Sequence, residues 1–316
     1  MNRVVVIGAG AWGTALAIQA ARAGCDVTLV ARDPGSFRDR CSSHLPGFPL
    51  PSTVRLVEHA PAQADLTLLV VPTQYLRGAC EGLPDAPVLV CAKGVELGSL
   101  MLPLEVVRAM RPDLVSGVLT GPNFAHEVAR GLPAATVLAM EDDAARAGIL
   151  GMIASAAFRV YGNHDPVGAQ VGGAAKNVIA IAAGAVIGVR LGENARAALI
   201  TRGLAEMSRL AAHLGGRAET VTGLSGLGDL LLTCTGESSR NYSLGLALGC
   251  GQSLVSILSA RSSVTEGVAT APALVARATP LELPIMAAVA DLLAGVVSLR
   301  GAIDRLLARP LRDEHR

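Results

Sequence analysis

Aromatic residues are scarce in this sequence: one Trp, three Tyr and four Phe make up 3% of 316 positions. Single-strand nucleic-acid binders stack bases on aromatics interleaved with basic residues, and no such strip occurs. Excess charge of one sign is also lacking, since 27 Lys and Arg face 26 Asp and Glu for a formal net charge of +1. No overall field gathers nucleic acid or an acidic membrane around such a chain, so no nucleic-acid partner is expected. The six cysteines (Cys25, Cys41, Cys80, Cys91, Cys234, Cys250) form no C-x-x-C and lie mostly in apolar segments. That pattern reads as reduced core residues of a cytoplasmic protein rather than a disulfide framework. The uncharged apolar stretch Asn177 to Val189 is shorter than the roughly 18 apolar residues of a bilayer span, so no membrane insertion is expected. The first apolar run carries one Arg and breaks at Gly8-Ala-Gly10, which is unlike a signal peptide. His44, His59, His126, His164, His213 and His315 show no ligand spacing, and no metal is expected. Neither a G-x-S-x-G elbow nor a Walker loop is present, which leaves hydrolase and NTPase readings without support.

What the chain does contain is glycine, 35 residues of it, in a sequence that is 51% apolar. This length and apolar content suit about two domains with substantial cores. From Arg3 to about Gly162, short β-branched runs alternate with Ala/Leu helical patterns, the rhythm of a mostly parallel, doubly wound α/β sheet. Strands are predicted at Val4–Ile7, Val27–Val30, Leu66–Val71, Val88–Ala92, Val115–Leu119, Ala135–Ala139 and Phe158–Tyr161. Beyond Asn163 the text becomes helical, with Asp165 as N-cap and Pro166 at the first helical position. The expected division is a Rossmann-type domain over residues 1–164 and an all-α domain over 165–316.

Gly8-Ala-Gly10-Ala-Trp-Gly13 is a G-x-G-x-x-G placed between an apolar strand and a helical pattern. Gly8 suits the tight turn, Gly10 a pyrophosphate approaching the helix N-terminus, and Gly13 close packing of helix on strand. Such folds usually place a carboxylate at the end of the second strand for the ribose of NAD, but here the strand runs into Ala31-Arg32-Asp33. Arg32 either pairs with a 2′-phosphate, favouring NADP, or is a solvated loop charge. Asp33 lies one place late and suits the turn before Pro34. Lys93 follows the buried run Val88–Ala92 and precedes Gly94, which points it towards the carboxyl edge of the sheet, where ligands collect. Gly121-Pro-Asn123-Phe-Ala125 is another strand end turning into a helix. In the second domain Lys176 is set in an apolar, small-residue helix behind Gly172-Gly173. Desolvation lowers the pKa of such a lysine and suits it to accept a proton, whereas a lysine at a helix edge would snorkel. Asp229, between a glycine turn and an apolar helix, is either an N-terminal cap or a site acid. Ser239-Arg240-Asn241 has the donors to hold a phosphate.

Taken together, these motifs resemble those of the bacterial NAD(P)-dependent glycerol-3-phosphate dehydrogenases. The likeness runs nearly end to end through Gly8–Ala17, Lys93-Gly94, Gly121–Ala125, Lys176–Ile181, Asn194–Met207, Gly226–Thr235, Ser239–Asn241 and Glu266-Gly267. The resemblance implies reversible oxidation of sn-glycerol 3-phosphate to dihydroxyacetone phosphate with NADP or NAD, in supply of phospholipid synthesis. It implies Lys176 as the proton acceptor, with Lys93 and Asp229 as its polar partners. Gly121, Asn123, Ser239, Arg240 and Asn241 become substrate ligands. Ala11, Trp12, Arg32, Lys93, Ala125, Arg240, Val264 and Glu266 fall at positions that contact the dinucleotide. Two departures stand out: Ala11, where many members have Ser, and Asn123, often Ser or Thr. A homodimer is compatible with this reading. The rival readings are a silent dinucleotide sensor and another small hydroxyacid dehydrogenase.

Overall fold

A computed structural model of the protein describes residues 1–261 and 264–310. The polar end beyond Pro310, His315 included, lies outside the described residues. The first half carries strands β1 (Arg3–Ile7), β2 (Asp26–Val30), β3 (Arg55–Val57), β4 (Leu66–Leu69), β5 (Val88–Val90), β6 (Ser116–Thr120), β7 (Ala134–Ala139) and β8 (Phe158–Asn163). Between them run α1 (Ala11–Arg22), α2 (Leu76–Cys80), α3 (Pro103–Met110), α4 (Ala125–Arg130) and α5 (Asp143–Leu150). The strands form one sheet in the order β3-β2-β1-β4-β5-β6-β7-β8, parallel except where β7 runs antiparallel to β6. Only the six-residue α4 separates β6 from β7, and with no long crossover helix the chain returns in the opposite direction. The sequence pattern missed β3, three residues whose half-exposed edge position leaves no apolar run to detect.

Strands β1, β4 and β5 are buried on both sides, which is why they read as continuous apolar runs. Leu16, Val27 and Leu68 pack on one face of the sheet with α1, while Leu69, Leu76, Val90 and Val107 pack on the other with α2 and α3.

The second half consists of α6 (Pro166–Gly188), α7 (Gly192–His213), α8 (Ala218–Val221), α9 (Asp229–Thr235), α10 (Arg240–Gly249), α11 (Leu254–Ser259), α12 (Glu266–Ala278), α13 (Pro284–Leu293) and α14 (Leu299–Leu307). Asp165 caps α6 by accepting from the Gly168 amide at 2.8 Å, and Pro166 opens the helix. Helix α6 is long and apolar enough to cross a bilayer, which the uncharged-run criterion did not register because Lys176 interrupts the run. Some 83% of its apolar window is buried, against α7, α9, α10 and α12. It is the central core helix of this half.

One further expectation needs correction. Four cysteines are buried, but Cys250 is exposed and Cys41 half-buried. Asp33 stands at the turn before Pro34, where its backbone oxygen accepts from Ser36 Oγ at 2.7 Å.

Candidate active site

The carboxyl ends of β1, β2, β4, β5 and β6 bring Gly8, Arg32, Thr73, Lys93 and Gly121 to one edge of the sheet. Gly8 has φ +111° and a Cβ there would lie 2.5 Å from the Val70 carbonyl oxygen, while a Cβ on Gly13 would lie 1.8 Å from that of Gly8. These two glycines are therefore fixed by the fold itself. Gly10 differs, because a Cβ there would meet no protein atom within 4 Å. The space above Gly10 adjoins the first amides of α1, which have no intrahelical acceptor and carry the positive end of the helix dipole. Ala11 and Trp12 occupy that first turn, half-buried, and Ala125 opens α4 nearby, packed against the same core. Arg32 is exposed and forms no hydrogen bond or ion pair among the described residues.

The helical half meets this edge through Lys176 and Asp229. Lys176 lies in the middle of α6 and is 7% exposed, and Asp229, first residue of α9, is 1% exposed. Asp229 Oδ1 accepts from Lys176 Nζ at 2.6 Å and Oδ2 accepts from Lys93 Nζ at 2.6 Å. The carboxylate thus joins the two halves, so its role as a mere cap is excluded by geometry. Lys93 also donates to the Gly121 carbonyl at 3.1 Å, and Lys176 to Thr233 Oγ1 at 2.9 Å. Thr233 Oγ1 in turn donates to the Asp229 backbone carbonyl at 2.6 Å.

Burial, reinforced by the Lys93 charge, pushes Lys176 down to about 8 despite the opposing pull of Asp229. Burial alone would raise the Asp229 carboxyl, but the two ammonium groups outweigh it and hold it below its usual range. Cys91 and Cys234 flank the site as thiols pushed up to about 12 by burial. The paired glycines behind Lys176 admit protein rather than ligand: a Cβ on Gly172 would lie 2.4 Å from the Ser225 carbonyl oxygen, and one on Gly173 would lie 3.1 Å from Thr120 Oγ1.

Ser239, Arg240 and Asn241 sit at the start of α10. Ser239 Oγ caps the helix by accepting from the Tyr242 amide at 3.2 Å. Asn241 is buried, donating to Asn177 Oδ1 at 2.9 Å and accepting from the Gly267 amide at 3.0 Å. Asn241 holds α6, α10 and α12 together and Ser239 is engaged as the cap of its own helix, so of the three only Arg240 presents an exposed charge. Arg240 Nη1 donates to the carbonyl of Val264, itself 45% exposed. Glu266 crosses between the halves, accepting from the Thr73 amide at 3.2 Å, and burial raises its carboxyl. Asn123 donates to the Ala135 carbonyl at 3.1 Å.

Sequence reasoning assigned no role to Thr233 or Asn177. Thr233 stands four residues beyond Asp229 on one helix face, and that spacing was the available signal. Asn177 donates weakly to the Lys93 carbonyl at 3.4 Å and accepts from Asn241, a junction no local pattern announces. Thr73 Oγ1, Thr120 Oγ1 and Asn123 Oδ1 are buried at this edge without a hydrogen-bond partner. The open space above Gly10, beside the unpaired first amides of α1, fits a polar ligand such as a dinucleotide. Among the described residues no group of His, Cys, Asp or Glu could hold a metal ion.

Comparison with known proteins identifies the family. The profile of the NAD-dependent glycerol-3-phosphate dehydrogenase N-terminus matches residues 3–146, and that of the C-terminus matches residues 165–304. The chain is 50% identical over 314 residues to glycerol-3-phosphate dehydrogenase [NAD(P)+] of Gluconobacter oxydans, covering 97% of both chains. It is 55% identical over 317 residues to that of Acidiphilium cryptum, covering 98% of this chain and 97% of the relative. The crystal structure of glycerol-3-phosphate dehydrogenase from Coxiella burnetii superposes with a TM-score of 0.91 at 35% identity, over 98% of this chain and 99% of that one. The chain belongs to the NAD-dependent glycerol-3-phosphate dehydrogenase family.

Proposed function

We propose that this protein is an NAD(P)-linked dehydrogenase that interconverts sn-glycerol 3-phosphate and dihydroxyacetone phosphate. The observation that carries the proposal is the buried carboxylate of Asp229, which joins a lysine of the sheet half to a lysine of the helical half. Residues 1–164 form the coenzyme half in this reading, and residues 165–316 the substrate half. Gly10, Ala11, Trp12 and Gly13 hold the pyrophosphate by backbone amides, with Arg32, Lys93, Ala125, Arg240, Val264 and Glu266 along the rest of the coenzyme. A bound nicotinamide supplies the hydride acceptor at its C4 when the alcohol is oxidised.

The chain's own groups handle the proton. Lys176 Nζ makes two hydrogen bonds, to Asp229 and Thr233, which leaves one tetrahedral position for the substrate C2 oxygen. As a neutral amine it takes the hydroxyl proton while the carbonyl forms, and as an ammonium it returns that proton in the reverse direction. Lys93, held by Asp229 and the Gly121 carbonyl, adds positive charge where the oxygen becomes electron-rich. Asp229 stays ionised between the two lysines and fixes both amines. Arg240 takes the phosphate from the Ser239–Asn241 turn, and Asn123 is a further substrate contact in this reading. Glycerol 3-phosphate made in this way serves phospholipid synthesis, and the free cysteines support a cytoplasmic setting.

The test is to add dihydroxyacetone phosphate with NADPH or NADH and follow the loss of reduced-nicotinamide absorbance. Turnover is expected with the phosphorylated ketone and only weakly with dihydroxyacetone. Coenzyme binding without turnover would identify a sensor instead.

A further inference from the structure

Two arginines meet at the first turn of α10, Arg240 as its first residue and Arg261 through hydrogen bonds to it, and the proposed function uses only one of them. Arg240 donates from Nη1 to the Val264 carbonyl at 2.9 Å. Arg261 reaches the same turn from the loop after α11. Its Nη1 donates to the Arg240 carbonyl oxygen at 2.6 Å and to Thr265 Oγ1 at 3.2 Å, and its Nη2 donates to Ser243 Oγ at 2.9 Å. Every one of those acceptors is neutral.

Neither arginine forms an ion pair with a carboxylate among the described residues. The acid whose charge Arg240 feels is Glu266, whose carboxyl is raised by burial and bonded to the Thr73 amide. Burial first, and then the Arg240 charge, lower the Arg261 guanidinium from its usual value. Two cations held on neighbouring groups, Arg240 on Val264 and Arg261 on Thr265, without a carboxylate partner repel each other, and an anion arriving beside them relieves that repulsion. The Arg261 fork is fixed by backbone and hydroxyl oxygens, so its position does not depend on that anion. It contributes a preset positive field and anchors the backbone of Arg240.

We propose that Arg261 is a specificity-determining residue for the anionic end of the substrate, forming with Arg240 a two-cation cradle that favours a phosphate dianion over a neutral group. This inference rests on the reading of Arg240 as the phosphate ligand. Arg261 acts through its field and through Arg240, at a distance from the reacting carbon.

The experiment measures competitive inhibition by inorganic phosphate against dihydroxyacetone phosphate at saturating NADH, which lacks a 2′-phosphate. Arg261→Met is expected to raise the phosphate inhibition constant and the substrate KM about three- to tenfold, as for a partly screened charge. The smaller share of the loss should fall on kcat, and slow turnover of dihydroxyacetone should be unaffected. Arg261→Lys keeps the charge while losing the planar fork, and it should recover most of the phosphate affinity. Equal losses in the Met and Lys variants with a matching fall in Tm would make Arg261 a structural strut and overturn the proposal. Unchanged inhibition in Arg261→Met would also overturn it. Arg240→Ala separates the two readings: if it weakens phosphate while Arg261→Met does not, only this inference fails, and if neither weakens phosphate the site assignment itself fails.

Discussion

In the sheet half, the groups that face the proposed coenzyme are mostly backbone: the amides at the start of α1 and the turns that end the strands. In the helical half they are charged side chains, Lys176 and Asp229, in a setting where Asp229 is 1% exposed. Backbone sites are damaged by adding atoms, and buried charged sites by removing them. The same contrast explains why glycine marks one half and isolated charges the other. It also makes the two halves separable by mutation, because a lesion in one should spare the other's ligand.

The largest expected effect is that of Lys176→Met, which should lower kcat by about a hundredfold to ten-thousandfold, the usual contribution of a positioned proton carrier. Coenzyme affinity, measured by titration without substrate, should barely change, and a comparable loss there would break the division. Next comes Arg240→Ala, expected to cost about 2 to 4 kcal/mol in kcat/KM towards dihydroxyacetone phosphate as a charged hydrogen-bonding partner is lost. Dihydroxyacetone should show little change, and a proportional loss with both ketones would assign Arg240 to the coenzyme or the fold.

The glycine loop sharpens the comparison from the other side. Gly10 has φ −69° and open space above it, so Gly10→Val should fold like the wild type and still weaken coenzyme binding by roughly tenfold or more. Gly13→Ala has the opposite profile. Its Cβ meets the Gly8 carbonyl oxygen, and overpacking of this kind costs about 1 to 3 kcal/mol, visible as a lowered Tm. Normal stability of Gly13→Ala would contradict the packing reading. The smallest effect is expected at Arg32, which is exposed and unpartnered. Arg32→Asp should lower kcat/KM for NADPH by about tenfold while sparing NADH, in line with about 1.5 kcal/mol for a charge-assisted bond. Equal losses with both coenzymes would mean that Arg32 supports the loop or stacks on adenine.

The sheet half was legible because its elements are local. A strand, a glycine turn and a helix within twenty residues can be read without knowing the rest of the chain, and the Asp165-Pro166 start of α6 is equally local. What escaped depends on distance. The antiparallel β7 was hidden because strand direction is set by the brevity of the connection, and β3 because three half-exposed residues carry no pattern. Asp229 read equally well as a cap or as a site acid until the fold placed Lys93, 136 residues away in sequence, against its second oxygen. Ser239 and Asn241 show the converse, since donors that look suited to phosphate are bonded to Tyr242, Asn177 and Gly267. The glycines before Lys176 gave the right signal of close approach, but what approaches is the Ser225 backbone.

The most direct test of the central claim is the pH dependence of kcat for glycerol 3-phosphate oxidation in the wild type and in Lys176→Met. With Lys176 at about 8, its neutral, proton-accepting form increases as pH rises through that value. The oxidation rate should rise through the same midpoint, and the rate of ketone reduction should fall through it. In Lys176→Met the residual oxidation should lose that midpoint. A variant that kept the same rise near pH 8 would show that another group carries the proton.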